Sequence, residues 1–322
     1  MGRGRPKKVK EETSNNSAIR EINKATGANL HYASAEKAKE RVMFPDYLEP
    51  LNKLTGGIPL GGSYTIIWGV KGSCKTTFTY ILTALLQKEG KRVVFFDLEH
   101  SFDGEYASKF GVQLDKLLIG EGETAETVMD TIIKMNEQKL IDFAIVDSIQ
   151  GMSPKGEQET KKGKEKSIED DEMGLLARKM SKFFRVSTHE AYKANVGIIL
   201  IGQTRKNLNS FAKLDTLSGG EALGFWATMI LKTFRGTKKE APTYKFKVND
   251  ETKTISIGFN LGICLEKKKI SNCAPEGTVI YLPFYNEFGF VKPTNEQIEE
   301  IYGNWIEFEK ETDNEEEEKN EE

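Results

Sequence analysis

The sequence predicts an α/β fold in which a mostly parallel central sheet is flanked by helices, with antiparallel strands added toward the C-terminus. Between residues 64 and 202, short apolar segments rich in β-branched residues alternate with segments of helical periodicity. Near-continuous apolar strands of this kind are typical of parallel sheets that helices cover on both faces. Beyond residue 225 short strands follow one another closely, which predicts antiparallel neighbours that extend the sheet.

The predicted elements follow in order along the chain. In the first half they are a strand at Tyr64–Trp68, a helix at Thr76–Lys88, a strand at Arg92–Asp97, a helix at Thr124–Gln138, a strand at Phe143–Asp147, a helix at Asp171–Ala194 and a strand at Val196–Gly202. The later strands are Met229–Phe234, Tyr244–Val248, Thr254–Gly258, Gly262–Glu266 and Val279–Phe284. A short capped helix is predicted upstream at 34–41, because a serine precedes a run of good helix formers.

Charge is concentrated at the two ends of the chain. The 322 residues carry a formal net charge of −3, yet the first ten hold five basic side chains and no acid, and residues 311–322 hold eight acids and one lysine. Blocks of like charge repel and bury little, so we expect disordered tails at both ends. The predicted organisation is a basic tail with an oligomerisation segment (1–40), a core (41–290) and a short acidic C-terminal segment (291–322).

Several classes of protein are excluded by composition. The longest apolar runs, such as Val93–Phe96 and Ile198–Ile201, fall far short of the about 20 residues of a membrane span. No apolar segment follows the basic N-terminus, so a secretory signal is not expected. The three cysteines and three histidines are scattered without metal-ligand spacing. We therefore expect a cytoplasmic protein without a disulfide framework or a zinc cluster.

The first basic run suggests contact with DNA. The segment Gly2–Lys8 resembles an AT-hook, in which arginines such as Arg3 and Arg5 enter the narrow minor groove of A·T-rich duplexes. A generic basic tail that binds phosphates without reading sequence is the alternative. The heptad is too short to distinguish the two.

A phosphate-binding loop follows the first predicted strand. Residues 69–76 read Gly-Val-Lys-Gly-Ser-Cys-Lys-Thr, which is the pattern G-x-x-x-x-G-K-[ST] except that Cys74 replaces its second glycine. Backbone N–H groups of such a loop cradle phosphates at a helix N-terminus. The predicted ATP-binding residues are Gly69, Val70, Lys71, Gly72, Ser73, Cys74, Lys75, Thr76 and Thr77.

Three residues of this loop region have specific predicted roles. Lys75 is expected to reach the β- and γ-phosphates, and the Thr76 hydroxyl to bind Mg²⁺. Asp147 ends a predicted strand, which is the usual place for the acid that holds the magnesium water shell. Cys74 is expected to be a tolerated small residue, although a helix N-terminus beside a lysine can lower the pKa of a thiol.

Together with the phosphate loop, further motifs resemble RecA-type recombinases, the strand-exchange ATPases of bacteria and phages. The likeness runs in order from about Thr55 to Phe284. It rests on Gly56–Gly61 before the loop, Phe96–His100, Asp103–Tyr106, Ile145–Ser148, Met173–Arg178, Gly202–Arg205, the pair Gly219-Gly220, and Glu266–Ile270. The resemblance implies a P-loop NTPase core of the RecA type.

The resemblance also implies catalytic roles. Glu99 is expected to be the general base that activates water, and Gln203 to contact the γ-phosphate. Lys267 and Lys269 are expected to act in trans, reaching a neighbouring subunit's γ-phosphate. Asp103 and Tyr106 are expected at the adenine. By this resemblance the chain is a DNA-dependent ATPase that uses ATP and Mg²⁺.

DNA partners follow from the same resemblance. We expect a homo-oligomeric helical filament on single-stranded DNA that also engages double-stranded DNA, with single-strand-binding and mediator proteins as further partners and no membrane. Besides Arg3 and Arg5, the residues expected at DNA are Met173, Gly174, Arg178, Arg185, Arg205, Phe211, Gly219 and Gly220.

The expected function is ATP-dependent homologous pairing and strand exchange. Two alternatives stay open on the sequence: a hexameric DNA helicase with the same core, and a mediator that binds ATP and DNA without exchanging strands. The globular C-terminal domain of cellular RecA is not recognisable in the sequence, and we expect the basic heptad to replace part of its role in duplex capture.

Overall fold

A computed structural model of the chain describes residues 8–33, 39–122, 124–155, 175–206, 215–217, 221–237, 241–248 and 251–307. The chain divides into two units, residues 1–39 and residues 40–322. No helix among the described residues is both long and apolar enough to span a bilayer.

The first unit contains a helix that begins at the end of the basic run. Helix α1 (Lys8–Thr26) ends where Gly27 adopts a left-handed conformation with φ +71°, as helix C-termini commonly do. The helix overlaps the basic run, for which we predicted disorder, only at its last three residues, Lys8–Lys10, and it otherwise lies in the polar segment with helix formers that follows. Residues 2–7, with Arg3 and Arg5, lie outside the described residues.

The second unit begins with a small hairpin and a helix. Strand β1 (Arg41–Val42) pairs with β2 (Ile58–Pro59), and α2 (Glu49–Thr55) lies between them in sequence. The helix predicted at 34–41 is wrong at its end, because Arg41 is extended and donates to the backbone oxygens of Gly56 and Ser271. Residues 34–38 lie outside the described residues.

The core is a sheet whose strands run in the order β13-β12-β9-β3-β7-β6-β4-β5, with β8 paired to β7. The strands are β3 (Ser63–Gly69), β4 (Val93–Asp97), β5 (Leu117–Gly120), β6 (Phe143–Asp147), β7 (Gly197–Lys206), β8 (Asp215–Leu217), β9 (Met229–Arg235), β12 (Gly258–Lys268) and β13 (Val279–Tyr285). From β9 to β5 the strands on this path are parallel, which confirms the predicted α/β class.

The C-terminal strands depart from the prediction in two ways. Strand β9 runs parallel to β3, so antiparallel pairing begins only at β12. Strands β10 (Thr243–Val248) and β11 (Glu251–Ser256) form a separate two-stranded ribbon instead of extending the main sheet. Strand periodicity indicates which face is buried but not which neighbour a strand pairs with, so sequence patterning could not separate these arrangements.

Helices cover both faces of the sheet, as predicted. Helices α2, α3 (Lys75–Lys88) and α4 (Gly104–Lys109) contribute to one apolar cluster, which includes Ile67, Phe95 and Ile145. Helices α5 (Ala125–Glu137), α6 (Leu175–Ala194) and α7 (Glu221–Trp226) contribute to the other, with Ile66 and Phe96. Neighbouring strand residues thus face opposite layers, and burial of each large side chain contributes about 1.5–3 kcal/mol.

Candidate nucleotide-binding site

The parallel strands bring their carboxyl ends to one edge. Register pairs Gly69 of β3 with Gln203 of β7 and with Thr233 of β9. It also pairs Asp97 of β4 with Asp147 of β6. Ligands of open α/β sheets bind beyond this edge, so the polar residues singled out in the sequence converge where a ligand is expected.

The phosphate loop is packed tightly against strand β9. A Cβ atom on Gly69 would lie 2.1 Å from the backbone oxygen of Thr233, so only glycine fits there. Buried Ser73 is 2.9 Å from the Thr233 hydroxyl, and the Arg235 Nε donates to the Gly72 oxygen at 2.9 Å. These contacts hold the loop from a second strand, a role for Thr233 and Arg235 that sequence motifs did not indicate.

Lys75 and Thr76 open helix α3 with their functional groups at this edge. The Lys75 ammonium donates to the Val70 oxygen at 2.9 Å, and burial lowers its pKa from the ordinary value. The Thr76 hydroxyl donates to Asp147 Oδ2 at 2.6 Å. Burial, reinforced by Glu99 and Asp97 and opposed by the Thr76 hydrogen bond, raises the pKa of Asp147 to about 6.

Thr76 and Asp147 fit the predicted magnesium site. Mg²⁺ in nucleotide sites takes one or two protein oxygen ligands and completes its shell with waters and phosphates. The hydroxyl and the carboxylate already touch, so one ion with its water shell can engage both. Within the described residues no group of three or more His, Cys, Asp or Glu side chains could hold a metal ion.

Glu99 and Gln203 meet beside this pair. Glu99 Oε1 accepts a hydrogen bond from Gln203 Nε2 at 2.8 Å and another from the Ser148 hydroxyl. Ser148 is fully buried, whereas Glu99 is exposed. The carboxylate is thus anchored from the sheet and remains open toward solvent, the arrangement a general base requires.

Two further residues position this group: Gln150, which lies outside the sequence motifs, and Asp97, which lies within the motif Phe96–His100 but had no predicted role. Gln150 brackets the backbone of Gln203: its Oε1 accepts from the Gln203 N–H at 3.0 Å, and its Nε2 donates to the Gln203 oxygen at 3.4 Å. Buried Asp97 accepts backbone N–H bonds from Ser101 and Phe102, which fold the turn that carries Glu99. Gln150 contacts a residue 53 positions away in sequence, and Asp97 acts within its own turn. Motif spacing alone predicted neither contact.

Cys74 occupies a position that suits glycine. Its φ is +57°, a left-handed conformation that costs an ordinary residue roughly 1–2 kcal/mol. A lysine beside a helix N-terminus can lower the pKa of a thiol, but here burial raises the pKa of Cys74 to about 11, although Arg235 and Lys75 oppose the shift. Desolvation of the thiolate outweighs the nearby positive charges.

Cys74 should therefore resist alkylation. At pH 8 a thiol with a pKa near 11 has far less thiolate than a free cysteine, so we expect iodoacetamide to react at least about 10-fold more slowly than with a free thiol. Peptide mapping by mass spectrometry of the folded protein measures this rate. Alkylation of Cys74 as fast as in a denatured control would contradict the raised pKa.

The residues expected at the adenine lie together on helix α4. Asp103 Oδ1 caps that helix by accepting the Tyr106 N–H at 2.9 Å. The Tyr106 ring packs edge-on against Phe110 at 4.9 Å between centroids and against Tyr80 at 6.4 Å. Its orientation is thus set by neighbouring rings, and the half-buried side chain keeps a solvent-facing surface. Adenine stacking on Tyr106 stays a prediction.

Lys267 of strand β12 and Lys269, one residue beyond the end of that strand, reach the end of helix α7. The Lys267 ammonium donates to the backbone oxygens of Gly224 and Phe225, and the Lys269 ammonium donates to that of Phe225. Carbonyls at a helix C-terminus attract cations. Both lysines thus form a pair on one surface, and action on a neighbouring subunit stays a prediction.

Comparison with known proteins identifies the family. A family model described as the RecA N-terminal domain matches residues 15–263, well over half of the chain. The chain belongs to the RecA family. RecA from Colwellia psychrerythraea is 37% identical over 177 residues, which cover 55% of this chain and 49% of that protein. The chain thus spans about half the length of this curated relative.

A solved structure shows a weaker likeness to this RecA-family chain. The crystal structure of the RadB recombinase matches with a TM-score of 0.49 and 19% identity, covering 74% of this chain and 94% of that one.

The predicted DNA-binding residues of this RecA-family chain are only partly described. Arg178 and Arg185 are exposed on helix α6, and their spacing of seven places them on one face. Arg205 lies in strand β7, two residues beyond Gln203. Met173, Gly174, Phe211, Gly219 and Gly220 lie outside the described residues.

Proposed function

We propose that the chain is an ATP-dependent DNA recombinase that forms filaments on single-stranded DNA and exchanges homologous strands. The observation that carries the proposal is the hydrogen bond between Glu99 and Gln203. It joins the candidate general base to strand β7, which continues to Arg205 and Lys206 at the start of the predicted DNA-binding segment. Nucleotide chemistry and DNA contact would therefore share one rigid strand.

Each residue of the site has a separate proposed role in ATP hydrolysis. Lys75 exchanges its contact with the Val70 oxygen for the γ-phosphate, where an ammonium compensates the charge of phosphoryl transfer. Thr76 and Asp147 would hold a Mg²⁺ ion, which would supply positive charge beside the phosphates. Glu99, held by Ser148, takes a proton from the attacking water.

Gln203 would couple the reaction to DNA. When a γ-phosphate is present, the Gln203 amide would donate to the phosphate instead of to Glu99. The shift of Gln203 would then move the end of strand β7. Linkage then requires reciprocity: if ATP tightens DNA binding, DNA tightens ATP binding by the same factor. Two hydrogen bonds from Gln150 hold the Gln203 backbone, so we expect the shift to involve the Gln203 side chain and the strand beyond it.

Assembly would complete the site. We propose that residues 1–40 mediate contact between subunits, that 41–290 form the ATPase core, and that ATP lies at a subunit interface. Lys267 and Lys269 of one subunit then serve the ATP of the next, as cationic fingers do in other phosphoryl-transfer enzymes.

Action in trans predicts complementation. Lys75→Ala destroys a subunit's own site but leaves its finger lysines, and the double variant Lys267→Ala/Lys269→Ala has the opposite defect. Random mixing in equal amounts should restore roughly a quarter of the wild-type ATPase rate, because one interface in four pairs intact halves. Mixtures no more active than either variant alone would contradict action in trans.

Strand exchange itself is tested with a circular single strand and a homologous linear duplex. Joint molecules that require ATP and homology, and that fail with Lys75→Ala, are the expected result. DNA-stimulated ATP hydrolysis without joint molecules would instead favour a mediator. A RecA-core helicase would displace a strand without any need for homology.

A further inference from the structure

The β10–β11 ribbon has two unlike faces. Its six residue pairs run from Thr243 with Ser256 to Val248 with Glu251. On one face Tyr244 and Phe246 pack toward α8 (residues 295–307): the Tyr244 hydroxyl donates to Glu299 Oε1 at 2.8 Å, and the Phe246 ring meets Trp305 at 6.4 Å. Together with Ile255, Ile257 and Ile298 they form a small separate core. This face is covered.

The opposite face is open and carries basic and hydroxyl groups. Alternation along the strands places the following exposed residues on it: Thr243, Lys245, Lys247, Thr252, Thr254 and Ser256. Lys245 lies opposite Thr254, and Lys247 lies opposite Thr252. None of these six is acidic. Among the described residues, neither Lys245 nor Lys247 takes part in an ion pair.

Basic charge continues past the edge of the ribbon at one end. Lys245 lines a cleft of about 430 Å³ together with exposed Lys292. At the other end Lys247 shares a cleft with Glu299 and Glu307 of α8. The positive surface is therefore strongest around Lys245.

We propose that the open face of the β10–β11 ribbon binds the phosphate backbone of duplex DNA, through residues other than those that the sequence predicted at DNA. The proposal rests on the proposed function for naming DNA as the polymer. Lysines and hydroxyls are the side chains that contact DNA phosphates, and a two-stranded ribbon has the width that a duplex major groove admits. Lys245 and Lys247, two residues apart, project about 7 Å from each other along the strand.

The face favours phosphate contact over base recognition. It offers no arginine, asparagine or glutamine that would pair with base edges. Its aromatic side chains are turned toward α8, so it lacks the stacking platforms with which proteins bind single strands. The site should therefore be insensitive to sequence, prefer duplex over single strands and depend steeply on salt.

The experiment compares the full-length protein with Lys245→Gln/Lys247→Gln. Fluorescence anisotropy measures binding to a labelled mixed-sequence duplex of about 30 base pairs and to a single strand of equal length, over roughly 50–200 mM salt. Lys88→Gln/Lys116→Gln, an equal charge change at exposed sites on another part of the surface, is the matched control. Circular dichroism melting checks that each variant is folded.

We expect the ribbon variant to bind the duplex roughly 10- to 100-fold more weakly, with the slope of log K against log salt reduced by about 2. Single-strand binding and single-strand-stimulated ATP hydrolysis should match the control. Duplex affinity and slope equal to those of the control would overturn the proposal, as would equal losses on both DNAs.

Failure of this inference is distinguishable from failure of the proposed function. If the wild type hydrolyses ATP without response to single strands, the recombinase is wrong whatever the ribbon does. If single-stranded DNA stimulates ATP hydrolysis normally but duplex affinity is unchanged in Lys245→Gln/Lys247→Gln, only the proposed ribbon site is wrong. Deleting residues 2–10 in parallel separates the ribbon from the basic heptad, because the ribbon site predicts that a salt-dependent duplex affinity survives the deletion.

Discussion

Replacing Glu99 with glutamine is expected to lower the rate of ATP hydrolysis by roughly 10²–10⁴, while nucleotide affinity changes by no more than about threefold. The substitution keeps the size of the side chain and can still accept from the Ser148 hydroxyl. It removes the group that takes the proton from water. Because nucleotide binding relies on the phosphate loop, the hydrolysis rate should fall while the Kd for nucleotide stays nearly the same.

The matched control for this variant is Glu105→Gln. Glu105 is exposed on helix α4, six residues along the chain, and undergoes the same chemical change. We expect its hydrolysis rate to stay within about twofold of wild type, since exposed charges contribute little. Steady-state phosphate release measures the rate, and anisotropy of a fluorescent ATP analogue measures binding. A Glu99→Gln protein with at least half of the wild-type rate would remove Glu99 from the base role.

Replacing Lys75 with alanine should have the other large effect, a loss of about 10²-fold or more in ATP hydrolysis. Lys75 holds its ammonium over the loop at the Val70 oxygen, half-buried and ready to meet a phosphate. Among the described residues of the loop, Lys75 alone has its ammonium against the loop backbone. The substitution removes that ammonium. Unlike Glu99→Gln, this variant should also weaken nucleotide binding.

Lys71→Ala provides the control within the same loop. Lys71 is exposed, and it is expected to serve the phosphates through its backbone N–H, which alanine retains. We expect its activity to stay within about threefold of wild type. If the two lysine variants lose activity equally, general charge near the loop would explain the effect and the assignment of Lys75 would be wrong.

The sequence predicted the parallel half of the fold well, for a physical reason. Strands β3, β4 and β6 are buried on both faces and read as continuous apolar runs, and the helix after the phosphate loop begins within one residue of its predicted start. Helix α1 was not predicted because its sequence is largely polar and lacks the apolar stripe that indicates a helix. The ribbon of β10 and β11 was misplaced because strand partners depend on the whole chain.

In the candidate site, local motifs could be predicted from the sequence, whereas contacts between distant segments could not. The sequence placed Lys75, Thr76 and Asp147 at one edge of the sheet, where they lie, because spacing along one loop or strand determines their position. Gln150 and Arg235 were missed because their contacts with Gln203 and Gly72 join segments far apart in sequence. The raised pKa of Cys74 was also missed, since burial by distant segments is invisible in a local pattern.

We propose that ATP chemistry and DNA contact are coupled through strand β7. The most direct test is the rate of ATP hydrolysis by the full-length protein with and without homopolymeric single-stranded DNA, beside Lys75→Ala. We expect strong stimulation by DNA in the wild type and no stimulation in the variant. Slow hydrolysis that is indifferent to DNA in the wild type would contradict this proposal.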